Sequence, residues 1–566
     1  ALLPAGALDP YASHAYAVAL DREGAVSGAE TSPRVLRTDA ETGEFVSDID
    51  VLEAAYRSAL ASATADPATP ALVVIDPGDP VRARETVSTG AAREASEVRA
   101  AHATDEVVRV ALRSLPVDAA LVIVSTAQYA SSGAPGFGPL VVYGAGPGTV
   151  VSESTHREII STLPDVSATI LALLGIEVPE GVTGLPLLLG GADGGTPDSL
   201  AEVLHADREA RALEALRVPV WTGTIALAVL GLGVAIALVL GGVPGRAPGA
   251  RVVVSYALVA VCGAPVATLV ARALGYASTA RDAWLRFAIA LILVLGAAAW
   301  RARRSGARRM LGTIAWLTVA VVCADQLLGG PAAYGSAFSY SALFGTRFFG
   351  LGNEGAAIAV GAALLAAGMR LDRADGGRAR DQLVLGSIVV IVAVLPIFGA
   401  NFGVAAWGTA AFLTAYLYSA GKRLDVKVAA GAVAAAALVL GAAAVLDAIA
   451  PGVSHFGRVL TGQTDLAALI QRKLALNLSI LTATPVVVLL PLALAAIAYV
   501  LARPTGRVGD ALLRSRGIAA AVAGGVAAAL VGMITEDSGV VVSALVMMFP
   551  AIALAVAALE TREETA

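Results

Sequence analysis

Ten polar side chains in the later part of this chain could do chemistry together. Arg347, Asn353 and Glu354 lie in Phe344-Gly-Thr-Arg-Phe-Phe-Gly-Leu-Gly-Asn-Glu354, and Glu536 and Asp537 open Glu536-Asp-Ser-Gly539. His455, Arg458, Arg472, Lys473 and Asn477 belong to one stretch between two apolar runs. Arginine binds phosphate through paired, fixed N–H groups, and lysine does so as a point charge. Arg347, Arg458, Arg472 and Lys473 are therefore candidate phosphate ligands, with Asn353, Asn477 and Glu536 as further substrate contacts. Glu354, His455 and Asp537 are the candidate acids or bases for group transfer. Each residue also has a plain structural reading. Arg347 and Glu354 are seven apart, so in a helix they would share a face and could pair. Asn353 could cap a helix. Arg472 and Lys473 could reach to lipid headgroups. His455 could be a simple loop residue, and Glu536-Asp537 an exposed turn. Gly345, Gly350 and Gly352 could serve close helix packing.

The flanking sequence decides where these groups sit. The chain has 566 residues, of which 57% are hydrophobic and 15% charged, and its mean hydropathy is +0.74. Soluble domains carry about 25% charged residues, and the deficit here falls after about residue 216. Apolar runs at 219–242, 251–271, 285–300, 310–328, 354–369, 383–399, 402–420, 428–448, 476–501, 517–534 and 539–559 read as about eleven transmembrane helices, judged against the roughly 20 residues needed to cross a bilayer. Alternate connecting loops hold nineteen basic residues in one set and seven in the other. Basic loops stay cytoplasmic, so the C-terminus is expected inside and the N-terminal region outside. All ten candidates, with Asn401, then fall at the outer ends of spans, where ionisable groups are functional candidates by default. Residues 329–353 are apolar, aromatic and Gly-rich, and read either as a re-entrant segment lining a cavity or as an interfacial aromatic belt.

Residues 1–190 read as a soluble α/β domain. The short β-rich runs Tyr16–Leu20, Ala71–Ile75, Ala119–Ser125 and Pro139–Tyr143 alternate with helix-period stretches at Ile49–Ala63 and Glu106–Leu115, which predicts a mainly parallel sheet. Residues 191–218 form a linker and a charged juxtamembrane helix, 219–559 the bundle, and 560–566 a cytoplasmic tail. The two cysteines, Cys262 and Cys323, both lie in apolar runs, so the soluble domain has no disulfide. A net charge of −5 gives no basis for nucleic-acid binding. The 37 arginines against three lysines, with abundant alanine, fit a GC-rich bacterial genome. Ala1-Leu-Leu-Pro4 is not a translation start, and an exported domain needs a leader or a first span, so both that element and part of the domain are expected upstream of residue 1.

Residues 103–190 resemble the C-terminal part of the alkaline phosphatase superfamily. The resemblance rests on Asp105-Glu-Val-Val108, the strand Ala120–Ser125, Pro139–Tyr143 with the following Gly-Ala-Gly, and above all Asp165, Thr169, Leu171 and Gly175 in Leu163–Gly175. In that superfamily an Asp-His pair at this strand binds catalytic metal. Here Ser125 is followed by Thr126-Ala127-Gln128, and neither His102 nor His156 matches a ligand position. The resemblance therefore implies a degenerate, non-catalytic domain without metal or cofactor. The membrane half resembles a family of bacterial membrane proteins that join such a domain to a helical bundle. The matching residues are Gly345–Glu354, Ser454–Arg458, Arg472–Asn477 and Asp537–Gly539, and they imply architecture rather than a reaction.

The favoured reading is a bacterial plasma-membrane, cell-envelope protein whose bundle handles a lipid-linked anionic substrate at the outer leaflet, with lipid or a lipid-linked substrate and the membrane as partners and the soluble domain as a place for an envelope protein to dock. The alternatives are a transporter or flippase, which needs polar groups through the inner half of the bundle as well, and a structural or partner-docking protein. Asp325 and Asp447 sit near outer ends, which favours the first reading over transport.

Overall fold

The computed structural model describes residue 30 and residues 33–189 and 199–560, apart from 41, 67–68, 87–89, 127–135, 147, 180, 242–247, 304–305, 345–346, 374–377, 424–425, 450–470, 472–474, 476–477 and 480–488. The chain divides into two compact units, Ala1–Val203 and Leu204–Ala566.

In the first unit, β1 (Leu36–Thr38) pairs with β2 (Phe45–Ser47), β3 (Leu121–Val124) with β4 (Leu140–Tyr143), and β5 (Val151–Ser152) with β6 (Arg157–Glu158). All three pairings are antiparallel, which corrects the expected parallel sheet among the described residues. A parallel return needs a crossover of a dozen or more residues, usually helical. The stretch between β3 and β4 is rich in Gly, Ser and Pro instead, and Ala71–Ile75 forms no strand element. Helix α1 (Ile49–Ala63) has the expected bounds, with the Asp48 side chain accepting from Val51 N at its start. Its Leu52 and Tyr56 are buried, and the Tyr56 hydroxyl donates to the Ala111 carbonyl on α3 (Gly90–Arg113) at 3.3 Å. Helix α2 (Asp79–Thr86) is anchored where Asp79 meets Arg82 at 2.8 Å and accepts from Ser47 N at 2.9 Å.

Helix α4 (Leu163–Leu173) explains the most specific stretch of the superfamily resemblance in local terms. Asp165, fully buried, closes a capping box with Thr162. It also accepts from Ser152 Oγ at 2.9 Å, Ser154 Oγ at 2.6 Å and Leu185 N at 3.1 Å. Thr169 Oγ1 accepts from Leu187 N at 2.8 Å. One carboxylate and one hydroxyl thus hold residues 152–188 around the start of α4.

The second unit is helical: α5 (Ser199–Leu240), α6 (Pro248–Ala273), α7 (Ala280–Ala302), α8 (Gly306–Leu327), α9 (Asn353–Leu371), α10 (Arg380–Val394), α11 (Val404–Ala420), α12 (Val426–Ile449), α13 (Leu489–Ala502), α14 (Gly506–Arg514), α15 (Arg516–Thr535) and α16 (Gly539–Glu560). Among the described residues seven helices, α5 to α9 with α15 and α16, are long and apolar enough to cross a membrane. The chain is therefore read as a multi-pass membrane protein. The expected juxtamembrane helix and first span are one continuous helix of 42 residues containing Pro219. At 1.5 Å per residue that is about 63 Å, roughly twice a hydrocarbon core, so its charged N-terminal half extends beyond the apolar half. The expected span 383–399 stops at Val394, because Leu395 precedes Pro396 and is held extended at ψ 134°.

Helix α9 is the centre of this unit. Every residue from Gly355 to Gly368 is buried, and most are alanine or glycine. Small side chains let neighbouring backbones approach closely. A Cβ on Gly361 would lie 2.5 Å from the Val546 carbonyl oxygen of α16, and one on Gly368 would lie 2.4 Å from the Gly517 carbonyl oxygen of α15.

Candidate functional site

Three breaks between helices meet at one end of the bundle: the segment 328–352 before α9, the link 395–403 between α10 and α11, and the turn 536–538 between α15 and α16. Each break is fixed by local chemistry. Asp325 at the end of α8 accepts from Ala332 N at 2.7 Å and Ala333 N at 3.1 Å, turning the chain back. After α10, Gly399 N reaches Val392 O at 2.9 Å and Asn401 N reaches Ala393 O at 2.8 Å, so the exposed helix carbonyls are satisfied by the link itself. Ala400 takes a left-handed φ of 49° to do this.

The segments are then joined by side chains. Asn401, 3% exposed, donates through Nδ2 to Leu351 O at 3.0 Å and to Asn353 Oδ1 at 2.9 Å. Asn353 donates onward to Ser538 Oγ at 3.0 Å. Leu351 N donates to Gly399 O at 2.7 Å. Arg347 Nη1 donates to the carbonyls of Leu351, Gly399 and Ala400 at 3.3, 3.4 and 3.4 Å. Its cation thereby sits just past the C-terminus of α10, where the helix dipole favours positive charge. Trp407 Nε1 on α11 donates to Glu536 Oε1 at 2.8 Å. The Glu354 carboxylate lies against Gly352 at the start of α9, where a Cβ would meet its Oε2 at 3.4 Å.

The placement of the candidates differs in detail from the sequence expectations. Asn353 is not the cap of α9; Gly352 is, and Asn353 is the first helical residue. Its amide spans two other segments instead. Arg347 lies outside the helix, so its spacing of seven from Glu354 is not two helical turns. Glu536 is 5% exposed, whereas its neighbour Asp537 is exposed, so the two do not form one exposed turn. His455, Arg458, Arg472, Lys473 and Asn477 lie outside the described residues. Of the ten candidates the structure thus brings together Arg347, Asn353, Glu354 and Glu536.

Trp407 and Ser538 belong to the same network and were not singled out as site residues. Trp407 falls inside an apolar run, where an indole reads as core, and only its N–H towards Glu536 marks it. The opposite ends of the same helices carry a separate polar contact, in which Asp372 accepts from Gly517 N at 2.8 Å and from the Ser515 hydroxyl. Among the described residues no group of three or more His, Cys, Asp or Glu side chains converges as a metal site would require. In the first unit, Asp79 is engaged by Arg82 and Ser47, and His102 is exposed on α3. The chain matches no protein-family model, no curated protein and no solved structure.

Proposed function

We propose that this multi-pass membrane protein binds a lipid-linked, phosphate-bearing substrate at the end of the bundle where Arg347, Asn353, Glu354 and Glu536 meet. In this reading the protein resides in a bacterial plasma membrane with about eleven spans. The α/β unit and the site face outside and the C-terminus faces the cytoplasm. The observation that carries it is the convergence of one guanidinium and two carboxylates with a shared amide network, at helix ends where bare connectors would suffice. Arg347 supplies charge for phosphate, joined by Arg458, Arg472 and Lys473. Glu354 is the acid or base for group transfer, with His455 and Asp537 as its alternatives. The α/β unit is a non-catalytic relative of the alkaline phosphatase superfamily. Transport is the weaker reading, because the central helix α9 is apolar and buried from Gly355 to Gly368 and offers no polar path to the other end.

Binding tests this directly. The purified, delipidated full chain is titrated with phosphatidic acid and, separately, with diacylglycerol of the same acyl chains, and bound lipid is counted by native mass spectrometry. Phosphatidic acid should bind about ten-fold or more tighter, a difference of ~1.4 kcal/mol, and Arg347→Ala should remove most of that preference. Equal binding of the two lipids by the unaltered chain contradicts the proposal.

A further inference from the structure

One face of α5 grips the segment that leads to Arg347. The Ser341 hydroxyl donates to Glu214 Oε2 at 2.5 Å and accepts from Leu343 N at 3.1 Å and Phe344 N at 2.9 Å. Arg217 donates to the Ser339 carbonyl at 3.4 Å. The Trp221 indole N–H donates to the Ala337 carbonyl, and its ring lies 5.1 Å from that of Phe338. Glu214, Arg217 and Trp221 are spaced three and four apart, so they share a helix face. The helix is also tied at Glu209, which pairs with Arg272 on α6.

We infer that Glu214, Arg217 and Trp221 are positioning residues that hold segment 337–344 and, through it, the backbone that presents Arg347. Residues 337–344 have no helix or strand ladder to satisfy their backbone groups, and Ala337, Ser339 and Ser341 are nonetheless almost fully buried. Buried backbone polar groups need partners, and α5 supplies them from outside the segment for the Ala337 and Ser339 carbonyls, and anchors the Ser341 hydroxyl that in turn holds Leu343 N and Phe344 N. The ordering of the site segment therefore depends on a helix that contributes no group to the site's own amide network. This inference rests on the proposed site for its functional meaning, but the anchoring itself is measured independently.

The experiment uses the full chain in detergent, with Cys262 and Cys323 replaced by serine and one cysteine introduced as Ala337→Cys. Ala337 is 2% exposed, so a thiol at this position should react slowly with a water-soluble maleimide. Adding Glu214→Ala with Trp221→Phe should raise that rate by about ten-fold or more, as local opening becomes easier. Glu214→Gln alone keeps an acceptor for Ser341 and should leave the rate unchanged. A cysteine at Ala357, fully buried on α9, should stay unreactive in every background, which separates local release from unfolding. An unchanged rate at position 337 overturns the inference, as does an equal rise at position 357. The phosphatidic acid titration of Arg347→Ala is a separate readout, so failure of the site reading leaves the labelling result standing.

Discussion

At the scale of single residues, Asn401 and Asn353 decide whether the three helix breaks stay together. Asn401 is buried and serves two acceptors through one amide nitrogen. Its replacement by alanine leaves the Leu351 carbonyl and the Asn353 amide oxygen each short of a donor. Asn401→Ala should cost about 1–3 kcal/mol, read as a lower midpoint of thermal unfolding in detergent. Because the two amides touch, Asn353→Ala combined with Asn401→Ala should cost less than the sum of the single changes. Gly403 gives a sharper test of Glu536. A Cβ at position 403 would sit 1.7 Å from Glu536 Oε1, so Gly403→Ala must expel the carboxylate from Trp407. Gly403→Ala should then lower the unfolding midpoint more than Trp407→Phe, which removes only the hydrogen bond, and the reverse order would show that Glu536 moves aside freely. In the α/β unit, Asp165→Ala should abolish the protease resistance of residues 152–188, since five donors lose one acceptor. The polar candidates were legible in the sequence because charge is rare at bilayer depth. Trp407 and Asn401's specific partners were not, because a partner seen only through folding leaves no mark on local composition.

At the scale of elements, the helices were legible almost to their ends. Apolar length predicts a span, and the described helices at 248–273, 280–302, 306–327, 353–371, 516–535 and 539–560 each cover the corresponding run to within one residue. The misses have physical causes. Val218-Pro219 reads as a boundary, yet only the N–H that would reach the Ala215 carbonyl is lost, and α5 continues through it. The strand direction is not legible in the sequence: alternation of β-rich and helical stretches predicts a parallel sheet, whereas the short strands pair antiparallel with the next strand in the chain. How α9 packs was only faintly legible, as a run of small residues. A Cβ on Gly517 would lie 1.9 Å from the Gly368 carbonyl oxygen, backbone against backbone. Gly517→Ala should therefore separate α15 from α9 and cost about 1–3 kcal/mol or more. Size-exclusion chromatography of the detergent-solubilised protein should show loss of the monodisperse peak, while Gly296→Ala on α7, where a Cβ meets nothing within 4 Å, should elute normally.

At the scale of the whole molecule, the account needs one orientation and one site. The proposed orientation rests on the unequal basic residues of alternate loops, nineteen against seven. A reporter active only in the cytoplasm should work when fused after Ala566 and stay silent when placed in the Gly190–Gly195 link. The opposite pattern would put the bundle end that carries Arg347 on the cytoplasmic side. The fall in charge density after about residue 216 is plain in the sequence, and the two compact units part nearby, between Val203 and Leu204. What the sequence could not specify is which loops meet, because loops at one membrane depth can lie on any side of a bundle. The central claim is that all the candidate segments, including the one bearing Arg472, form a single site. Spin labels at Arg472→Cys and Asp537→Cys, in a background with Cys262 and Cys323 replaced by serine, measure this in the full chain. The account predicts a separation within about 16 Å, two Debye lengths at physiological salt. A single distance well beyond that would place Arg472 elsewhere on the bundle and contradict a common site.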